Sequence, residues 1–216
     1  MSWALLTELP EHERASLLSF ARRHRFAKGE VVFHEGDPGE TLHLVDRGRA
    51  AVRLTTRFGD VHIVRVIPPG GWFGELAVVT GSPRNATVTA LQPLETMSLH
   101  RDHLDEVRGR FPAFNQVLVG SLVAEVRRLS TALLEALFVP VEQRAYRRIA
   151  ELVPLYGGGT PPVVIPLTQE EVAQVVGTTR PTVNKVLQAA AAAGILRVRR
   201  GSIEVLDLDQ LARRAR

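Results

Sequence analysis

From Phe111 to Val139 the sequence FPAFNQVLVGSLVAEVRRLSTALLEALFV contains no proline after its second residue, and its apolar residues recur at a helical period. Val119, Leu122, Val126, Leu129, Leu133 and Ala136 follow a 3,4,3,4,3 spacing, the a/d seam of a coiled coil. A second set, Val123, Leu134 and Leu137, faces elsewhere and is expected to pack on the domain before it. A helix with two apolar faces needs two partners. Burial inside a single domain is the plain alternative; the length and the continuous seam favour a helix shared between two copies of the chain. Pro140 ends it and marks a domain boundary.

The region before this helix has a different period. VVFHEGD, TLHLVDRG, AAVRLTTRFGD, VHIVRVIPPGG, NATVTALQ and ETMSLH are short β-rich runs between about Phe26 and Leu99, punctuated by Gly, Pro and Asp. That pattern predicts an antiparallel sandwich or barrel, with the helical segment PEHERASLLSFARRH packed outside it. Phe73–Val88, FGELAVVTGSPRNATV, reads as apolar sheet sequence carrying one acid, Glu75, and one base, Arg84. A length of 216 residues suits two domains.

Several classes of function drop out. Cysteine is absent, which removes disulfides, thiolate chemistry and Cys-ligated metal centres. No apolar run approaches the roughly 18 residues of a membrane span. The start, MSWALLTELPEHER, turns acidic at once and has no basic n-region followed by an apolar stretch, so a cytoplasmic protein is expected. His100 and His103 form an H-x-x-H beside Asp102 and Asp105, expected as a solvated turn rather than a metal or haem site. Neither a nucleophile motif nor paired carboxylates in a defined context suggests an enzyme.

The net charge of +4 is unevenly distributed. Up to Val139 the 16 basic residues balance 16 acidic ones; from Pro140 onward the count is 11 against 7. The basic part also carries a local pattern. After the amphipathic VEQRAYRRIAELVPLYG and the turn-rich GGGTPPVVIP, Thr168 and Glu171 form a capping box. A short helix follows, Gly177 turns the chain, Thr178 or Thr179 caps the next helix, and Pro181 sits in its first turn. This is a helix-turn-helix. Arg180, Asn184 and Gln188 share one face of the second helix, with Lys185 adjacent, while Val183, Val186 and Leu187 face inward. Arg suits guanine, and Asn or Gln suits adenine, in the major groove. Thr179 and Thr182 are placed to hold phosphates, and RVRRGSIEV reads as a wing turning at Gly201, with Arg199 and Arg200 as backbone contacts. An ordinary exposed helix face is the alternative; the turn, the wing and the local basic excess together weigh against it.

The Glu75/Arg84 stretch then acquires a context. GGWFGE is Gly-rich, so its backbone can approach an anion closely. Arg84 supplies a fork for phosphate oxygens, and Glu75 can accept from a sugar hydroxyl. A ribose-phosphate satisfies both; a Glu75–Arg84 ion pair pinning the sheet is the alternative. Gly-Glu-Leu-Ala, the short spacer, Pro-Arg and Ala-Thr-Val-Thr-Ala resemble the phosphate-binding cassette of cyclic-nucleotide-binding domains. With the helix-turn-helix behind it, the whole chain resembles the cyclic-AMP receptor protein/FNR family of bacterial transcription regulators.

The resemblance implies an α+β chain: an N-terminal antiparallel, jelly-roll-like β-barrel over 1–110, a dimerisation helix over 111–139, and a winged helix-turn-helix over 140–216. It implies cyclic AMP between barrel and dimer helix, with Gly74, Leu76, Ala77 and Arg84 along the phosphate and Glu75 on the ribose 2′-hydroxyl. It further implies a homodimer on a palindromic operator of double-stranded DNA, with RNA polymerase as partner. Asn85 stands where cyclic-AMP-responsive members usually carry Ser. Leu129 and Ser130, with Thr131 one step on, stand where they place a Thr-Ser pair against the adenine. In the reading helix Arg180 matches, whereas Pro181 replaces a family Glu and Lys185 a family Arg, so the operator is expected to depart from the best-known half-site. The competing reading is a regulator of the same fold that acts without a nucleotide or senses another ligand.

Overall fold

The computed structural model describes residues 3–157 and 160–216. Met1, Ser2 and the centre of the GGGTPP linker, Gly158 and Gly159, lie outside the described residues. Two compact units emerge, Met1–Leu54 with Val64–Arg127, and Thr55–Ile63 with Arg128–Arg216.

The first unit is built on two four-stranded antiparallel sheets. One has the order β1 (Arg22–Phe26), β8 (Leu94–His100), β3 (Thr41–Arg47), β6 (Trp72–Phe73); the other β2 (Val31–Phe33), β7 (Thr87–Ala90), β4 (Ala50–Thr55), β5 (Val61–Ile67). Their inner faces meet through Val45, Phe73 and Leu94 from one sheet and Ala50, Ile67, Val88 and Ala90 from the other. No strand pairing joins the sheets among the described residues, so the expected barrel is an open sandwich. β3 is buried on both faces because its alternate residues serve two cores. Leu42 and Leu44 point to a helical layer made by α1 (Glu11–Ser19), α3 (Arg101–Arg110) and the start of α4 (Pro112–Phe138), through Leu17, Leu104, Val107, Phe114 and Leu118. His43 and Val45 point into the sandwich.

Three local expectations are corrected. Residues 22–24, read as the end of a helix, open β1: Arg23 pairs with Glu95 at 3.0 Å and His24 Nε2 lies 2.9 Å from Ser98 Oγ, so cross-strand partners on β8 override helix propensity. Glu75–Thr80, read as sheet, is the short helix α2, bracketed by Gly74 and Gly81 in left-handed conformation. The H-x-x-H turn is the start of α3: His100 caps it by accepting from the Asp102 N–H, and His103 stacks on Phe20 at 4.2 Å. Among the described residues no group of three or more His, Asp or Glu could hold a metal ion.

α4 is one continuous helix of 27 residues. Phe114 and Leu118 bury its first turns, but along the seam beyond them Leu122 is half-buried and Val119, Val126, Leu129 and Leu133 are exposed, Leu133 by 61%. Val123, Leu134 and Leu137, expected to pack on the preceding domain, are exposed as well.

In the second unit, α5 (Val141–Tyr156) follows Pro140. Glu135 of α4 accepts from Arg147 at 3.0 Å and from Arg148 at 2.6 Å, which pins the junction of the two helices. α6 (Gln169–Val176) and α7 (Arg180–Ala192) follow, then a three-stranded sheet of order β10 (Leu196–Arg199), β11 (Ser202–Val205), β9 (Val163–Ile165), and α8 (Leu208–Arg214). Val172, Ala173, Val176, Val183, Leu187, Ile195, Ile203 and Leu211 are buried. No helix among the described residues is long and apolar enough to cross a membrane.

Candidate functional site

The cassette in the first unit centres on Arg84, which is only 5% exposed. Its Nη1 donates to the Gly74 carbonyl at 3.0 Å and its Nη2 to Thr41 Oγ1 at 2.9 Å, while the guanidinium lies over the Phe33 ring at 4.1 Å. Nε is buried with no hydrogen-bond partner. Burial lowers the Arg84 pKa, opposed by Asp37 and then Glu75 acting at longer range. Arg84 makes no hydrogen bond or ion pair with Glu75, so the pinning ion pair weighed from the sequence is not formed. Gly74 (φ 87°) is held to glycine twice over: its backbone is left-handed, and a Cβ would stand 2.6 Å from Arg84 Nη1.

Glu75 opens α2 and, with Leu42, Val78, Val79, Leu104, Arg108, Phe114 and Leu118, lines a cavity of about 10 Å³. Burial raises its pKa; its own backbone N–H and Arg65 pull it back down, Glu125 pushes it up, and Arg84 draws it down weakly. Leu76 is exposed, and Ala77 is buried. Asn85 is exposed next to Arg84. Ser130 and Thr131 occupy exposed positions of α4 in the second unit, whereas the cassette belongs to the first.

In the second unit the capping box is formed: the Thr168 hydroxyl accepts from the Glu171 N–H at 3.1 Å, and the Glu171 carboxylate accepts from the Thr168 N–H at 2.7 Å. Gly177 ends α6 in left-handed conformation (φ 71°). Thr179 takes the N-cap position of α7, yet its hydroxyl bonds the Thr182 hydroxyl at 2.9 Å instead of a backbone N–H. Val183, Val186 and Leu187 are buried, while Arg180, Lys185 and Gln188 are exposed and Asn184 is half-buried. Asn184 and Gln188 lie side by side, with Gln188 Nε2 3.5 Å from Asn184 Oδ1.

The wing turns at Arg200–Gly201 as expected, and β9 adds a third strand to it. Arg199 and Arg197 both engage Glu204. Arg147 and Arg148 are likewise engaged inside the unit, both holding Glu135. Arg180, Lys185 and Arg200 form no ion pair among the described residues. A groove of about 420 Å³ is lined by Thr168, Gln169, Glu170, Arg180, Arg199, Arg200 and Gly201. The arginines come from α7 and the wing, and the other polar residues from the start of α6.

The cyclic nucleotide-binding domain model matches residues 23–110, and the Crp-like helix-turn-helix domain model matches residues 127–214. A CRP-like cAMP-activated global transcriptional regulator of Mycobacterium tuberculosis is 32% identical over 194 residues, 88% of this chain and 87% of that protein. The chain belongs to the CRP/FNR family of transcription regulators. A cyclic AMP receptor protein of Thermus thermophilus is also 32% identical, over 88% of this chain and 86% of that one. The fold matches that of the c-di-GMP-responsive global regulator of Xanthomonas campestris with a TM-score of 0.80, covering 91% of this chain and 99% of that one at 18% identity.

This CRP/FNR regulator thus carries a cyclic nucleotide-binding domain containing the cassette, and a DNA-binding helix-turn-helix domain containing α6 and α7. Its family is one of non-enzymatic regulators. Sequence reasoning missed Thr41 and Phe33 beside Arg84, because neither carries a motif and both lie more than forty positions upstream. It also missed Gln169 and Glu170 in the groove below the wing. The capping box, which places both at the start of a helix, was the available signal.

Proposed function

We propose that the protein is a homodimeric transcription regulator controlled by cyclic AMP held in the Gly74–Asn85 cassette. The observation that carries this reading is Arg84, a buried cation with no carboxylate against it and one donor left over. Burying an unpaired charge is costly, and an anionic ligand supplies the missing partner. A phosphate fits the donor set: Nε is unused, and the fork suits bidentate contact. Glu75 then accepts from the ribose hydroxyl, and exposed Asn85 is the polar group next to the arginine. Charge-assisted hydrogen bonds of about 1.5–3 kcal/mol each bring several such contacts into the micromolar range. Calorimetry with cyclic AMP, cyclic GMP and c-di-GMP tests the assignment. Uptake of cyclic AMP in preference to the other two supports it; uptake of none of them favours the nucleotide-independent reading.

Glu75→Gln separates binding from folding. Burial disfavours the Glu75 carboxylate in the folded state, so its folded pKa lies above the unfolded one, and the group's penalty grows as pH rises through that window. At neutral pH the amide should leave the unfolding midpoint unchanged or slightly higher. It should weaken cyclic AMP by about 10-fold or more, the loss of one charge-assisted acceptor. Thermal melts from pH 4 to pH 8 (roughly the carboxylate range and above) and titration calorimetry read the two effects separately.

The largely exposed seam of α4 is the surface we assign to the second copy. Leu129 and Leu133 lie on it, and burying one such side chain contributes about 1.5–3 kcal/mol. Leu129→Glu with Leu133→Glu should therefore weaken the dimer by at least about 100-fold in sedimentation equilibrium. A dimer that survives both changes would place the interface elsewhere. A two-fold dimer implies a palindromic operator, with the reading helices one DNA turn apart. Cyclic AMP would act by population shift toward the DNA-competent state, in the cytoplasm, with RNA polymerase the partner on the promoter.

A further inference from the structure

We propose that His43 is a positioning residue for the effector: its ring orients the Thr41 hydroxyl, which in turn holds the Arg84 fork in place for the phosphate. The proposal rests on the cassette reading above.

A sandwich interior is usually apolar, yet this one carries a polar row. His43, Thr96 and Ser98 are buried on the inner face of the first sheet, with His24 alongside. His43 Nε2 lies 3.3 Å from Thr41 Oγ1, and Nδ1 lies 3.1 Å from Thr96 Oγ1. The ring is clamped by Phe73, stacked at 5.1 Å with a 4° tilt between planes, and by His24 at 5.6 Å. Thr41 Oγ1 is therefore shared by His43 and Arg84.

The direction of the chain follows from what each group can do. Guanidinium only donates, so Thr41 Oγ1 accepts from Arg84 and has one hydrogen of its own to place. A hydroxyl that accepts from a cation becomes a better donor, and hydrogen bonds running head to tail strengthen one another. The order is thus Arg84 Nη2–H to Thr41 Oγ1–H to His43 Nε2, with Nδ1–H donating to Thr96. The opposite tautomer would aim two positively polarised N–H groups, from Arg84 and His43, at one oxygen. Burial first, then His24 and Arg84, lower the His43 pKa to about 3, so the ring stays neutral and keeps its acceptor. Without that acceptor the Thr41 hydroxyl is free to rotate, and one of the two anchors of Arg84 loses its direction.

Two measurements test this. In the ligand-free protein, nitrogen-detected NMR should find His43 protonated at Nδ1 and bare at Nε2; a proton on Nε2 overturns the relay. The Arg84 Nε–H signal should be sharp in the wild type and shifted or broadened in both His43→Phe and Thr41→Val; an unchanged signal also overturns it. Cyclic-AMP titration should show each variant weakened by about 3- to 10-fold, the scale of one neutral hydrogen bond. The double variant should be no weaker than the poorer single one, because the two residues act through one contact. His43→Gln, whose amide oxygen can accept from Thr41, should recover part of the loss while His43→Phe keeps the ring stack. Losses that multiply in the double variant, or no loss in His43→Phe, contradict the proposal. If the wild type takes up no cyclic AMP, the effector assignment fails, and the two NMR readouts alone decide whether His43 holds Arg84.

Discussion

Replacing Arg84 with alanine is expected to weaken cyclic AMP by at least about 100-fold, with no comparable loss of stability. The guanidinium offers a bidentate, charge-assisted contact, and two hydrogen bonds to a charged group at about 1.5–3 kcal/mol each account for that magnitude or more. The stability side of the prediction follows from the geometry. Arg84 is buried, its acceptors are the neutral Gly74 carbonyl and the Thr41 hydroxyl, and Nε is unsatisfied. Removing a buried cation that no carboxylate contacts relieves a desolvation cost, which offsets the packing lost over Phe33. Calorimetry and a thermal melt on the same preparation check both halves. A variant that melts well below the wild type and loses ligand in proportion would make Arg84 a structural residue.

The second large effect concerns DNA. Arg180→Ala should cut the ratio of operator to random-sequence affinity by about 10-fold or more, since a bidentate base contact is worth roughly 1–3 kcal/mol of discrimination. Arg180 is exposed at the start of α7 and forms no ion pair among the described residues, so nothing inside the protein competes for its fork. Arg200→Ala should weaken both affinities together and lower the slope of log affinity against log salt by about one. Arg200 sits at the wing turn, beyond the hairpin ion pairs that engage Arg197 and Arg199 with Glu204. Titrations of labelled operator and of random duplex across a salt series separate the two roles. If both variants relax sequence preference equally, the division between reading and positioning is wrong.

What could be read from the chain alone follows how local each feature is. The helix-turn-helix was legible because its signals sit within a few residues of one another: Thr168 with Glu171, Gly177 as the turn, and Pro181 in the first turn of α7. The long helix was legible from its period, though not that Val123, Leu134 and Leu137 stay exposed in the chain. β1 was misread because Arg22–Phe26 lacks a β-branched residue, and its strand character comes from β8, about seventy positions away. α2 was misread because Val78, Val79 and Thr80 look like strand, while the left-handed glycines at 74 and 81 that bracket a short helix have no spacing signature. In the cassette the residue types were evident, but their state was not. That Arg84 is buried and Glu75 half-buried, with no bond between them, depends on Phe33, Thr41 and the α4 residues Phe114 and Leu118, which the chain supplies from distant segments. The polar row of His43, Thr96 and Ser98 was hidden for the same reason, since each looks like one more residue in an alternating strand.

The central claim is that a cyclic nucleotide in the cassette governs DNA binding, and one titration tests it most directly. Affinity for a palindromic operator, selected with the protein from random duplexes, is measured at fixed salt with and without saturating cyclic AMP. The account predicts tighter operator binding with cyclic AMP in the wild type, by about 5- to 150-fold for an ordinary allosteric coupling, and no change in Arg84→Ala. Equal operator affinity with and without the nucleotide in the wild type would contradict it.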